Sequence, residues 1–275
     1  MVDKPAGLTS HDVVDQVRRR LGERRVGHSG TLDPDATGVL LVGVGTVTRL
    51  LRFLTDLPKS YVGEVVLGTE TATLDAAGEV TARHDMSGVT LAEARRLAAQ
   101  HLTGPIEQVP PMVSALKVGG RRLHELAREG IEVERAARPV TVHELTLDDG
   151  PEPGVLRIAV RCSSGTYVRT LAADLGHLLG GGAHLRNLRR TAIGSFAEAE
   201  ALPVPDAPLL TAREALRDYA AVVVDAETVE LVTHGRLLPA FAGAGPWAVV
   251  GPDGGLLAVY EAHRDGSKPA VVLVG

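Results

Sequence analysis

The sequence predicts a mixed α/β (α+β) protein with a small β-rich C-terminal part. Three patterns carry that reading. VLRIAVRC (155–162) alternates, with Leu156, Ile158, Val160 and Cys162 facing one way and Arg157, Ala159 and Arg161 the other, as in a half-buried strand. TLAEARRLAAQHL (90–102) opens with Thr90 and Glu93 in capping-box spacing and continues as a helix. Near the end, WAVVG (247–251), LLAVYEA (256–262) and AVVLVG (270–275) are short apolar runs, with turn-forming glycines and prolines between segments.

The remaining elements follow in chain order. Thr9 or Ser10 caps a helix reaching about Leu21, with Val13, Val14 and Val17 on one side and three arginines at its negative end. Residues 22–38, GERRVGHSGTLDPDATG, form a loop, and VLLVGVGTV (39–47) starts a helix or a buried strand. YVGEVVLG (61–68) is a β-branched strand. Residues 103–139 are irregular around a short helical piece at 122–129. An SSGT turn after Cys162 leads into a helix from about Tyr167 to Leu179. PVPDAP (203–208) has the composition of a linker, followed by helices near 211–220 and 225–235.

Composition narrows the function classes. The chain has 275 residues, 44% hydrophobic and 23% charged, which argues against disorder. No apolar run approaches membrane-spanning length, and MVDKPAGLTSHD lacks the basic and apolar regions of a secretory signal. The single Cys162 excludes a disulfide framework and reads as a core strand residue; the ten histidines show no metal-binding spacing. Net charge is −5, yet 1–60 and 117–190 are mildly basic while 61–116 and 191–275 are acidic. Of 29 basic residues 25 are arginine, a bias that suits planar phosphate contacts or a GC-rich genome equally.

Local motifs leave several chemistries open. In HSGTLDPDATG (28–38), Asp33-Pro34 fits the first two positions of a type I turn. Asp33-Pro34-Asp35-Ala36-Thr37 also matches the DxDxT pattern of magnesium-dependent phosphohydrolases. That chemistry needs the first aspartate at the end of an apolar strand, and here the apolar run follows it. Gly43-Val44-Gly45 begins like a dinucleotide fingerprint but has Thr48 at the third glycine position.

Seven segments occur together and in order: DKPAGLTSHDVV (3–14), GHSGTLDPDATGVL (27–40), KSYVGEVVLG (59–68), QVPPMVSALKVGGRRLHELAREG (108–130), RPV (138–140), CSSGTYVRTLAADLG (162–176) and AHLRNLRRTAIGSF (183–196). Over roughly residues 1–200 the chain closely resembles the TruB-type tRNA pseudouridine-55 synthases. The resemblance implies a catalytic domain at 1–210 built on a largely antiparallel sheet, with 108–138 as a mobile RNA-clamping insertion. It further implies a PUA-like RNA-binding module at 218–275. The implied activity is isomerisation of uridine-55 in the T loop of tRNA to pseudouridine by base flipping and an aspartate-dependent C–N to C–C glycosidic rearrangement. No cofactor and no metal is implied, because the leaving uracil is itself the nucleophile. The implied partner is the tRNA T stem-loop, with no membrane, for a cytoplasmic monomer.

By the same resemblance Asp33 is the catalytic aspartate. Arg169 is its partner, expected to lower the carboxylate pKa and offset burial. As a cation in the first turn of its helix, Arg169 is poorly placed for a purely structural role. Tyr61 is expected to stack on the flipped uracil, a contact worth about 1–3 kcal/mol, and to help at carbon 5. His28 matches the residue that fills the gap in the T-loop stack. Tyr167 and Leu188 match walls of the uracil pocket, and Lys59 precedes Tyr61 in the same substrate-binding segment. Lys117, Arg121, Arg122 and Arg128 are expected phosphate contacts. Three departures from the family stand out. Asp35 replaces an apolar residue and is expected to raise the pKa of Asp33. His124 replaces an aromatic. No short apolar strand precedes DKPAG, which predicts either a missing edge strand or a mis-assigned start. Two readings from other classes are a non-catalytic tRNA-binding or folding factor, in which Asp33 is only a turn residue, and the DxDxT phosphohydrolase.

Overall fold

A computed structural model describes residues 1–114 and 116–274; the side chains of Lys117, Arg122, His124 and Arg128 lie outside the described part. An eight-stranded sheet runs through the body in the order Val2–Lys4, Thr37–Leu40, Ala183–Ile193, Lys59–Leu67, Val155–Cys162, Arg138–Asp149 and Gly104–Gln108, with Phe196–Ala197 folded back onto 183–193. Every pairing is antiparallel except that of 37–40 with 183–193. At that parallel crossing Gly38, at φ +103°, lies so close to the backbone of Arg190 that any Cβ would collide with it.

The apolar alternation of 155–162 is used as expected. Leu156, Ile158, Val160 and Cys162 are buried under the helices Leu91–His101 and Val168–Leu178, and Arg157 and Arg161 are exposed. Val13, Val14 and Val17 bury the inner face of helix Ser10–Leu21, which is capped by Thr9 and stopped by Gly22 in the left-handed conformation. The 39–47 run is strand rather than helix: Thr37–Leu40 and Val42–Val44 precede a 3-10 turn at Gly45–Leu50.

Three expectations are corrected. Val2–Lys4 supplies an edge strand, paired with Gly38–Leu40, so the sheet does not lack one. PVPDAP does not hang free. Val204 and Ala207 are buried against helix Ser10–Leu21, and the Arg20 guanidinium donates to both of their carbonyls at 2.6 and 2.7 Å. The helix expected near 211–220 is one turn, Ala212–Ala215. It stops because Leu216 is drawn fully into the core and the Asp218 carboxylate accepts the Ser195 N–H at 3.0 Å.

Beyond it the C-terminal sheet runs Ala220–Val223, Trp247–Val250, Leu256–His263, Gly266–Val272 and Leu238–Pro239. One apolar cluster joins this sheet to the body: Leu50, Phe53, Ile193 and Phe196 pack with Leu216, Ala248, Val250 and Val259. No described helix is long and apolar enough to cross a membrane.

Candidate active site

Asp33 sits in a turn fastened from several directions. The Ala36 N–H closes the turn on the Asp33 carbonyl at 3.1 Å. Leu32 is buried, and the Ser10 hydroxyl both accepts its N–H at 2.9 Å and donates to its carbonyl at 3.2 Å. The fully buried Lys4 donates its ammonium to the carbonyls of Pro5, Leu8 and Pro34 at 2.9, 2.5 and 2.8 Å. Burial without a directly bonded carboxylate pushes the Lys4 pKa down to about 8. The DKPAG segment thus acts as a clamp on the loop that carries the carboxylate.

Arg169 meets Asp33 across 136 residues of chain. Its guanidinium is 4% exposed and grips the carboxylate in a fork, with Nε 3.0 Å from Oδ2 and Nη2 3.2 Å from Oδ1. The remaining N–H groups donate to the Thr73 carbonyl at 2.7 Å, the Val113 carbonyl at 2.8 Å and Asp75 Oδ2 at 3.1 Å. A cation in the first turn of helix Val168–Leu178 is tolerated because two carboxylates and two carbonyls surround it.

The Asp33 carboxyl is nevertheless pushed above the ordinary aspartate range. Burial is the main cause and Arg169 opposes it; Asp75 pushes further up, Lys4 pulls down, and Asp35 adds the smallest push. Arg169 pulls the carboxyl down as expected, without offsetting burial in full. The second carboxylate that matters is Asp75, more than Asp35. Asp33 keeps 37% of its side-chain surface open, and the residue lines the cleft, so solvent reaches it through a protein-walled mouth.

The cleft is also walled by Tyr61, Tyr167, Leu188, Arg190 and the stem of Lys59. Tyr61 lies on strand Lys59–Leu67, paired with Arg190 on the neighbouring strand. Its phenol is held protonated by burial, with the nearby charge of Arg190 acting the other way. Arg190 is itself 1% exposed and donates to the Val39 carbonyl at 2.7 Å and the Gly30 carbonyl at 3.2 Å. Tyr167 is fixed by a reciprocal pair with the buried Gln108: its N–H donates to Oε1 at 2.8 Å and its carbonyl accepts from Nε2 at 3.1 Å. The Lys59 ammonium turns away to the carbonyls of Leu57, at 2.7 Å, and Thr55, and burial lowers its pKa to about 8.

His28 stands beside this cleft and not among the residues lining it, edge-to-face with His11 at 5.4 Å between ring centres. Its Nδ1 accepts the Gly30 N–H at 3.2 Å, and burial pushes its pKa down to about 4, so it is neutral near pH 7. Arg121 is exposed and paired with Glu129 at 2.5 Å. The strands Lys117–Val118 and Arg121–Arg122 form a hairpin around Gly119 and Gly120. The expected phosphate contacts of Lys117, Arg122 and Arg128, and the His124 departure, fall on side chains outside the described residues. Among the described residues no group of three His, Cys, Asp or Glu is placed to hold a metal. Sequence reasoning missed Asp75, Arg190 and Gln108, which look like an ordinary turn acid, a strand arginine and a loop amide.

The whole chain superposes on 82% of the matched chain in a Cbf5–Nop10–Gar1 complex, with TM-score 0.74 and 26% identity. A second match, from an H/ACA ribonucleoprotein bound to a substrate RNA containing 2′-deoxyuridine, has TM-score 0.72 at 23% identity and speaks to the fold alone. Fold and cleft together define a pseudouridine synthase catalytic domain with a β-rich C-terminal extension. Residues 18–168 match the N-terminal domain model of the TruB family pseudouridylate synthases. Residues 169–223 match the tRNA pseudouridylate synthase B C-terminal domain, and 219–274 the C-terminal model of tRNA pseudouridine synthase II. The tRNA pseudouridine synthase B of Thermobifida fusca is 45% identical over 290 residues, covering 100% of this chain and 98% of the relative. That of Symbiobacterium thermophilum is 50% identical over 240 residues, covering 84% and 80%. The chain belongs to the TruB family.

Proposed function

We infer that this protein isomerises uridine to pseudouridine in tRNA, at position 55 of the T loop. The observation that carries the inference is the Asp33 carboxylate gripped by a buried arginine fork in a tyrosine-walled cleft. In the reaction the C1′–N1 bond breaks, the base turns, and C1′ bonds to C5. The C5 proton leaves and N1 gains a proton, so atoms and electrons balance without a redox partner. Covalent addition by an aspartate and removal of a sugar proton both require Asp33 ionised. Arg169 favours that state, while burial opposes it. Tyr61 and Leu188 offer flat and apolar faces to an extruded base, and stacking offsets part of the cost of flipping.

The T stem-loop is the expected RNA partner, held under the 108–138 insertion with Lys117, Arg121, Arg122 and Arg128 on its phosphates, and with His28 at the vacated stack position. The 218–275 part serves as a PUA-like RNA-binding module. The enzyme acts in the cytoplasm as a monomer. The test is tritium release from tRNA transcripts carrying carbon-5-tritiated uridine. Wild type should release tritium, and Asp33→Asn or a transcript with cytidine at 55 should abolish it. Release that survives Asp33→Asn would overturn the assignment.

A further inference from the structure

We propose that Ser29 reads the extruded base, its hydroxyl hydrogen-bonding the Watson–Crick edge of the nucleobase held in the cleft. Ser29 is fully buried yet lines the cleft together with Gly30, Asp33, Tyr61 and Arg190. Its Oγ has no hydrogen-bond partner among the described residues. Buried hydroxyls are ordinarily paired, and leaving one unpaired costs stability. Ser10 shows what a structural serine does in this fold: its hydroxyl both accepts from and donates to Leu32. Nothing comparable occupies Ser29.

The backbone around Ser29 is locked. Its N–H donates to the Leu41 carbonyl at 3.0 Å, the Gly30 N–H donates to His28 Nδ1, and the Gly30 carbonyl accepts from Arg190. The backbone that carries Ser29 is therefore in place before substrate arrives, and only the turn of its short side chain has to bring the hydroxyl to the base. Several other polar groups of the wall are already engaged. Ser163 Oγ accepts the Thr141 N–H at 2.9 Å, Lys59 is turned to backbone carbonyls, and Arg190 is spread over Val39 and Gly30. A flipped base brings carbonyl acceptors and an imide donor into such a site and is read by hydrogen bonds to that edge. A serine hydroxyl serves either polarity. The depth of Ser29 suits the base, since charged phosphates stay in solvent.

This role rests on the function inferred above, so the experiment separates the two. Wild type and Ser29→Ala are compared in tritium release, in thermal unfolding without RNA, and in binding to tRNA transcripts with either uridine or an abasic site at 55. Ser29→Ala should unfold at the same or a higher temperature, because it deletes an unpaired buried group. Its kcat/KM should fall about three- to tenfold, the net worth of one neutral hydrogen bond. It should bind the uridine transcript more weakly and the abasic transcript equally well. Unchanged kcat/KM overturns the proposal. So does a lowered unfolding temperature with weaker binding to both transcripts, which marks a structural serine. If wild type releases no tritium, the functional reading fails, and the base-reading role falls with it.

Discussion

Replacing Asp75 with asparagine tests how the site is held together. Asp75 uses both carboxylate oxygens: Oδ2 accepts from Arg169 Nη1 at 3.1 Å, and Oδ1 accepts from the Thr73 hydroxyl at 2.5 Å and the Ala77 N–H at 3.1 Å. Asparagine has one oxygen and one amide N–H₂. Whichever way it turns, a donor faces either the guanidinium or the Ala77 N–H. The substitution thus forfeits one hydrogen bond to a charged group, worth about 1.5–3 kcal/mol. If that loss is felt wholly as misplacement of the Arg169 fork on Asp33, the single-turnover rate falls about 10- to 150-fold. The pH profile carries a second, opposite signature. Asp75 helps push the Asp33 carboxyl up, so removing its charge lets that carboxyl ionise more readily. The acid limb of the rate should move to lower pH while the plateau drops. Single-turnover tritium release across the acid range reads both quantities at once. A wild-type plateau in Asp75→Asn, or an acid limb displaced upward, would refute this account of the network.

Two further perturbations probe the frame around the site. Lys4→Met keeps the chain length but orphans the carbonyls of Leu8 and Pro5 and removes one of two donors to Pro34, at up to about 1–3 kcal/mol for each unpaired group. Its unfolding temperature and kcat should both fall. The Lys4 ammonium titrates near 8 in the fold against 10.5 normally, so the unfolded chain binds the extra proton between those values and wild-type stability gains from this group as pH rises through them. Urea unfolding at two pH values within that window should show this gain in wild type and its absence in Lys4→Met. His28 should titrate near pH 4 by NMR and remain neutral at pH 6. Its lowered pKa means that stability from this group is complete above about 6.5 and is lost as pH falls toward 4; a midpoint above 6 would contradict its burial.

Local elements were legible because their causes are local. The Thr9 cap, the valine stripe at 13, 14 and 17, and the alternation of 155–162 each depend on a few neighbouring residues, and the structure uses them as read. PVPDAP has the composition of a linker and is nevertheless docked, because composition reports turn content and not docking. Its valine and alanine fill a groove on a helix, and Arg20 binds their carbonyls, from 184 and 187 positions away in the chain. The helix near 211 was overlong because the pull on Leu216 and Asp218 comes from a core and a backbone N–H distant in sequence.

For the site the division is similar. Asp33, Tyr61, Arg169, Tyr167 and Leu188 were identified through motif order, and they converge on one cleft. Taken alone, the chain determined the element types, the family and the residues available for chemistry, since these follow from side-chain pattern and motif order. Tertiary structure decided that Asp75 shares the arginine, that Lys4 and Arg190 are buried as braces, and that Ser29 is left unpaired. It also decided that Asp33 is harder to ionise than its arginine partner suggests. Pairing and desolvation depend on every group within a few ångströms in space, and residues far apart along the chain supply most of them.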